Sequence, residues 1–145
     1  MSDITKQSLS ELVKNIKNKK VSSEEITKEF VNRSEKSKEL NVYITEDYSS
    51  ALDKAKKFDQ KPNFDLKLPG IPIAVKDLFC TKNIRTTAGS KILNNFVPTY
   101  ESTVTQNIWN EGAILLGKLN CDEFAMGSSN ETSFFGNVQN PIDKN

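Results

Sequence analysis

The stretch Leu68–Phe79, which reads LPGIPIAVKDLF, decides how the rest of the chain is interpreted. Pro69-Gly70 is a turn signal, and Ile71–Val75 is a short apolar run rich in β-branched residues. This pattern predicts a buried strand directly after a tight turn. The run ends on Lys76, a charged residue at a position where the core pattern predicts another hydrophobe.

Lys76 has two interpretations at the end of such a strand. Side chains alternate along a strand, so Lys76 shares a face with Pro72 and Ala74, whose small size leaves space beside it. A desolvated lysine loses its proton more readily and can act as a general base. Alternatively, the stem packs on the sheet while the ammonium group reaches water, which is the commoner arrangement. The residues alone leave both interpretations open.

The composition excludes several classes of protein. A chain of 145 residues can form one domain with a real core, and a net charge of +1 gives no electrostatic case for binding nucleic acid or a membrane surface. No stretch approaches the roughly 20 apolar residues of a membrane span. The opening MSDITKQSLSELVK lacks the features of a signal or transit peptide. The sequence therefore predicts a cytoplasmic protein with no membrane partner.

The chain contains no histidine. Within these residues this excludes Ser-His-Asp and Cys-His catalysis and any zinc site that needs imidazole. A general base must therefore be a lysine or a carboxylate. Cys80 and Cys121 form no CxxC motif, so they are interpreted as small buried hydrophobes, and no metal site is predicted.

Three amphipathic helices are predicted in the first third of the chain. Capping-box spacing places the first after Ser8, with Glu11, and the second after Ser22, with Glu25. The third spans Ser49–Phe58 and ends before a proline-containing break at residues 61–63. The apolar positions expected to face inward are Leu9, Leu12, Val13 and Ile16, then Ile26 and Phe30, then Ala51, Leu52, Ala55 and Phe58.

A strand–helix–strand unit is predicted after Lys76. Thr103 and Gln106 have capping-box spacing and open a helix whose inward residues are Val104 and Ile108. Ala113–Leu116 is a second apolar strand. Continuous apolar runs are typical of parallel strands that are covered on both faces, so the unit is predicted to be parallel.

The second strand also leads into a lysine, and Gly112–Lys118 matches the phosphate-loop pattern GxxxxGK. Leu119 occupies the position where that loop needs Ser or Thr for magnesium, and the intervening AILL is typical of a strand. A nucleotide site is therefore rejected.

A cluster of small polar residues lies between Leu119 and Asn140, just beyond the second strand. In open α/β sheets, ligands bind at the carboxyl ends of strands, and backbone N–H groups in such loops can stabilise an oxyanion. A plain surface turn is equally consistent with the composition. The cluster comprises Gly127, Ser128, Ser129, Asn130, Thr132 and Ser133.

Four segments together resemble the amidase signature family: GIPIAVKD, TTAGS, GAILLGKLNCDEFAMGSS and SFFGNVQNP, in this order over Leu68–Pro141. Within the family, the resemblance is greatest to the glutaminase subunits of glutamyl-tRNA(Gln)/aspartyl-tRNA(Asn) amidotransferases. It implies an α/β fold, a mixed sheet covered by helices with an N-terminal helical segment. Residues 1–145 would be the N-terminal part of a single amidase signature domain, with helices over 1–62 and the start of the α/β core over 68–145.

The resemblance also implies roles for particular residues. Family members hydrolyse amides with a Ser–cis-Ser–Lys triad, and Lys76 matches the triad lysine. Lys118 matches a family lysine that lies outside the triad. Both triad serines belong to a GGSSGGS-type segment that follows the NP motif, here Asn140-Pro141, and would therefore lie beyond Asn145. In the family, one loop forms part of the wall of the substrate pocket. The residues that match this loop are Met126, Gly127, Ser128 and Ser129.

The implied function is release of ammonia from glutamine for a partner protein that amidates mischarged tRNA. The implied partners are amidotransferase subunits B and C, glutamine, and mischarged tRNA bound through the complex. No cofactor is expected in this chain, while ATP and Mg²⁺ are expected at the partner. A stand-alone amidase with another amide substrate, and a truncated non-catalytic remnant, are the alternatives. Residues 1–145 alone are expected to be inactive.

Overall fold

The computed structural model describes residues 3–142 and contains four α-helices and one three-stranded sheet within that range. The helices are α1 (Leu9–Lys17), α2 (Ser23–Glu35), α3 (Tyr48–Gln60) and α4 (Thr103–Asn110). The strands are β1 (Tyr43–Glu46), β2 (Pro72–Lys76) and β3 (Ile114–Leu119). None of the helices within residues 3–142 is long and apolar enough to cross a membrane.

Both capping boxes predicted at the first two helices are present. Ser8 Oγ accepts a hydrogen bond from Glu11 N at 3.3 Å, and the Glu11 carboxylate accepts one from Ser8 N at 2.8 Å. Ser22 and Glu25 make the same pair of bonds, at 3.0 and 2.8 Å. These bonds satisfy backbone N–H groups that a helix start leaves unpaired. The prediction for Leu9 was wrong, because it lies 52% exposed in the first turn.

The described residues divide into two compact units, of which the first comprises 3–36, 47–73 and 107–116. Its core is formed by Leu12, Ile16, Ile26 and Ile71. The predicted turn before β2 is confirmed by Gly70, which has a φ of +66°. A Cβ on Gly70 would lie 2.7 Å from Ser23 Oγ, and that hydroxyl donates to the Gly70 carbonyl at 2.6 Å. The turn therefore requires glycine because it packs directly on the start of α2.

The sheet has the strand order β1-β3-β2. Ile114 N donates to Ile71 O at 2.8 Å and Asp77 N donates to Leu119 O at 2.9 Å, so β2 and β3 run parallel. The predicted strand–helix–strand unit is thus confirmed. β1, which the sequence analysis did not predict, pairs antiparallel with β3 and makes the sheet mixed.

Helix α4 begins where predicted and Ile108 is half-buried, but the prediction for Val104 was wrong. Ser102 Oγ, rather than Thr103, accepts from Thr105 N at 3.2 Å. Val104, predicted to be inward, is 48% exposed, whereas Thr105 is fully buried. Burial of Thr105 is tolerated because its hydroxyl bonds to Ser102 Oγ at 2.6 Å and to the Glu101 carboxylate.

Candidate active site

The second compact unit comprises residues 37–46, 74–106 and 117–142 and contains every residue predicted to belong to the site. Lys76 ends β2, as predicted, and its side chain is exposed. It makes no hydrogen bond or ion pair with any residue in the range 3–142. Of the two interpretations, the exposed ammonium agrees with the structure, and burial of Lys76 by the described residues is not observed.

The buried lysine of the unit is instead Lys118, on β3. Its side chain and that of Asp77 are both 0% exposed, and Lys118 Nζ lies 3.4 Å from Asp77 Oδ1. The same ammonium donates to Phe79 O at 2.8 Å and to Thr86 Oγ1 at 2.7 Å. Burial lowers the pKa of Lys118, and the Asp77 carboxylate opposes that shift. Lys118 is therefore an internal cation with one carboxylate counterion and two hydrogen-bond acceptors.

Asp77 connects the end of β2 to the TTAGS segment, residues 86–90. Its Oδ2 accepts from Thr87 N at 2.8 Å and from Thr87 Oγ1 at 2.5 Å. Its backbone carbonyl accepts from Ala88 N at 2.9 Å. In the sequence this segment indicates only the family resemblance, but in the structure all five of its residues are buried. The polar side chains of Thr86 and Thr87 therefore form hydrogen bonds inside the protein.

The 86–90 loop also contacts the polar segment that follows β3. Gly89 has a φ of +68°, and a Cβ there would lie 2.5 Å from Cys121 O. Phe134 N donates to Gly89 O at 2.8 Å, and Phe124 N donates to Ala88 O at 2.7 Å. The loops that follow β2 and β3 therefore form one hydrogen-bonded body.

Asp122 organises the segment that contains the predicted pocket loop. Its carboxylate accepts from Asn130 N at 2.9 Å, Thr132 N at 3.1 Å and Thr132 Oγ1 at 2.8 Å. The backbone bonds from Asn130 and Thr132 hold the pKa of Asp122 below its ordinary value. A Cβ at Gly127 would lie 2.5 Å from Asp122 Cγ, so the loop closes tightly over the carboxylate.

The four predicted pocket residues lie together at the exposed tip of this loop. Met126 is 81% exposed, and Ser129 Oγ donates to the Glu131 carboxylate at 2.6 Å. Within residues 3–142, the backbone N–H groups of Gly127, Ser128 and Ser129 donate no hydrogen bond. No hydrogen bond or ion pair joins the four residues to Lys76 in the described part of the chain. Their contact with a substrate stays a prediction.

Sequence reasoning missed both carboxylates that organise the site. Asp77 directly follows Lys76, and Asp122 lies three residues after β3. The available signal was an acidic residue next to a strand end, with threonines further along to donate to it. That signal does not say which cation a buried aspartate meets, because Lys118 lies 41 residues from Asp77.

Comparison with known proteins gives the class of the chain. The family model described as Amidase matches residues 25–145. The chain therefore belongs to the amidase family. It is 83% identical over 144 residues to the A subunit of glutamyl-tRNA(Gln) amidotransferase from Pelagibacter ubique (strain HTCC1062), covering 99% of this chain and 30% of that protein.

A second relative carries the same name. The A subunit of glutamyl-tRNA(Gln) amidotransferase from Rickettsia bellii (strain OSU 85-389) is 52% identical over 143 residues, covering 97% of this chain and 29% of that protein. The chain thus spans about three tenths of the length of the curated relatives it matches.

Solved structures confirm the predicted α/β fold. Fatty acid amide hydrolase superimposes with a TM-score of 0.89 at 23% identity, covering 99% of this chain and 27% of that one. The A subunit of glutamyl-tRNA(Gln) amidotransferase from Thermotoga maritima superimposes with a TM-score of 0.69 at 29% identity, covering 99% of this chain and 29% of that one. The fold is that of part of an amidase signature domain.

Proposed function

We propose that this chain is the lysine-bearing portion of a glutaminase that supplies ammonia to a tRNA-dependent amidotransferase. The observation that carries the proposal is the 83% identity, over 99% of the chain, to the A subunit of a glutamyl-tRNA(Gln) amidotransferase. The Amidase match to residues 25–145 supports amide hydrolysis as the reaction class.

In the proposed mechanism, Lys76 is the general base of a Ser–cis-Ser–Lys triad. Its neutral amine would take a proton from the intermediate serine, which deprotonates the nucleophilic serine for attack on the glutamine carboxamide. Backbone N–H groups would stabilise the tetrahedral oxyanion. The position of Lys76 at the carboxyl end of a parallel strand, with no partner among residues 3–142, supports this role.

Neither serine of the triad is assigned within residues 1–145. Ser128 and Ser129 precede the NP motif and lie in an exposed loop, and the chain offers no histidine to activate them. Both serines are expected in the GGSSGGS-type segment that follows Asn140-Pro141 in the family. Met126–Ser129 would wall the glutamine pocket, largely through backbone groups.

The remaining components belong to the assembly. The partners would be subunits B and C, with mischarged tRNA bound through the complex in the cytoplasm. ATP and Mg²⁺ would act at the partner, because amide hydrolysis by a serine nucleophile needs neither.

The test measures ammonia release from glutamine by the full-length protein assembled with its partners. Lys76→Ala should reduce kcat by roughly 10²–10⁴-fold, the usual contribution of a general base. Lys82→Ala is the control, since Lys82 is also an exposed lysine near the strand end and is assigned no role. Hydrolysis of other amides without glutamine hydrolysis would instead identify a stand-alone amidase. Loss of comparable size at Lys82 would refute the assignment of Lys76.

A further inference from the structure

We infer that Asp77 and Lys118 are positioning residues, a buried pair that fixes the direction in which the Lys76 side chain leaves the sheet. The inference rests on the function proposed for Lys76. The observation behind it is a contact between the two strands. The carboxylate of Asp77, which directly follows Lys76 in the chain, lies against the ammonium of Lys118 on the neighbouring strand, and both side chains are 0% exposed.

Stability alone does not explain the pair. Removing two charges from water is costly, and well-packed hydrophobic residues of similar volume are often at least as stabilising as a buried ion pair. Such a pair does, however, impose one arrangement on its surroundings, because breaking it leaves an uncompensated charge.

Asp77 is fixed through both its backbone and its side chain. Its N–H donates to Leu119 O at 2.9 Å and its carbonyl accepts from Ala88 N at 2.9 Å. Its Oδ2 accepts from Thr87 N, while its Oδ1 faces Lys118 at 3.4 Å. The peptide that follows Lys76 is thus attached to β3 and to the 86–90 loop together.

Lys118 completes the attachment from the other strand. Its ammonium donates to Phe79 O at 2.8 Å and to Thr86 Oγ1 at 2.7 Å. It therefore joins the turn after β2, at residues 77–79, to the start of the 86–90 loop. The turn that directly follows Lys76 and the 86–90 loop are both held by this one cation.

Lys76 itself has no side-chain partner among residues 3–142, so within this part of the chain its direction is set by the backbone. A base must lie within hydrogen-bond reach of the proton it takes, and a misplacement of about 1 Å can reduce the rate by about 10²-fold. Loosening the pair should therefore reduce kcat while glutamine binding is retained.

The test is the double variant Asp77→Asn/Lys118→Met in the full-length protein assembled with its partners. It removes both charges together, and the carboxamide oxygen introduced at position 77 can still accept from Thr87 N. We expect the free energy of unfolding of the double variant, measured in urea, to be higher than that of either single variant. We expect kcat for glutamine hydrolysis to fall roughly tenfold or more, with KM changed less than about threefold. A folded double variant with kcat within about twofold of wild type would overturn the inference.

A milder variant covers the case in which the double variant does not fold. Thr86→Val removes one acceptor of the Lys118 ammonium and leaves both charges, and it should lower kcat severalfold at unchanged KM. Thr103→Val, an exposed threonine at the start of α4, is the control. Equal kcat values for Thr86→Val and Thr103→Val would overturn the inference.

A readout that needs no substrate separates this inference from the proposed function. Lysines are reductively methylated with ¹³C-formaldehyde, and the Lys76 resonance is assigned by its loss in Lys76→Arg. In the double variant we expect the Lys76 resonance to move while that of Lys82 stays. If the wild type has no glutaminase activity, the proposed function fails, and a moved Lys76 resonance still supports the positioning role. An unmoved resonance would refute it.

Discussion

Two lysines of this protein lie near the carboxyl ends of neighbouring strands, Lys76 as the last residue of β2 and Lys118 as the last but one of β3, and their surroundings are opposite. Lys76 is exposed and unpaired within residues 3–142, whereas Lys118 is fully buried against Asp77. An unpaired amine can exchange a proton with a substrate-linked group, but a buried ammonium held by a counterion and two hydrogen bonds is poorly suited to do so. The contrast favours a chemical role for Lys76 and a structural role for Lys118.

At the residue scale, we expect Lys76→Arg to be as inactive in glutamine hydrolysis as Lys76→Ala. Arginine keeps the positive charge but is not deprotonated in proteins, so it cannot serve as a base. The measurement is kcat of the full-length assembly, with Lys82→Arg as the matched control. An active Lys76→Arg variant would mean that the residue acts only as a cation.

Lys118→Met should instead act first on stability. The substitution leaves the Asp77 carboxylate buried without its cation, and breaking a buried pair in this way costs about 3–5 kcal/mol. Urea unfolding of the full-length protein measures the effect, and Lys82→Met is the control. A loss below about 1 kcal/mol would show that water or another group replaces the lost cation.

At the element scale, the start of α2 is capped from outside the helix. Ser22 Oγ accepts from Glu25 N, while the Asp59 carboxylate on α3 accepts from Ser23 N at 2.9 Å and from Glu24 N at 2.8 Å. Glu25 accepts from Ser22 N as well, so all four backbone donors at this helix start are satisfied, two of them by a neighbouring helix.

We expect Asp59→Ala to lower the free energy of unfolding by about 1–2 kcal/mol, since it removes two charge-assisted caps and a favourable charge at the helix N-terminus. Asp53→Ala, an exposed site on the same helix, is the control. Urea unfolding of both variants makes the comparison. Equal stability of the two variants would mean that solvent replaces the Asp59 bonds.

The loop that carries Met126–Ser129 should be sensitive to acid. The pKa of Asp122 is lowered in the folded state, so its ionised form adds stability that is fully present above the ordinary value of 3.8 and is lost as the pH falls through the folded value. The stability difference between wild type and Asp122→Asn should therefore be largest at about pH 6 and shrink below about pH 4. Urea unfolding across this range measures it, with exposed Asp65→Asn as control. A difference independent of pH would contradict the role of the charge.

At the scale of the whole molecule, exposed apolar side chains are distributed unevenly. Among the described residues, the first compact unit has one exposed large apolar side chain, Leu9. The second unit has ten, between Leu78 and Ile142. Where such side chains form a contiguous patch, the patch is typical of a surface that packs against further protein.

Residues 1–145 expressed alone should therefore self-associate and show no glutaminase activity. The reasons are this apolar surface, the open outer edges of β1 and β2 in the described part of the chain, and the absence of an assigned nucleophile. Size-exclusion chromatography and an ammonia-release assay measure the two outcomes. A monodisperse monomer with a cooperative melt would contradict the first expectation, and activity that survives purification would contradict the second.

The local elements follow from patterns in the amino-acid sequence. The capping boxes at Ser8 and Ser22, the Pro69-Gly70 turn and the apolar runs of β2 and β3 are signals between residues close in the chain. They act through backbone hydrogen bonds and side-chain periodicity, which is why α1, α2 and the parallel strand pair were predicted. The ends of β2 and β3 also indicated where the candidate site lies.

Which polar groups meet depends on the tertiary fold. β1 is a four-residue strand whose pairing with β3 crosses more than 70 residues, so no local pattern required it. The Asp77–Lys118 pair, the Asp59 cap and the exposure of Val104 depend likewise on distant neighbours. A buried charge is stable only with its partner in place, and the fold, rather than sequence spacing, brings that partner within reach.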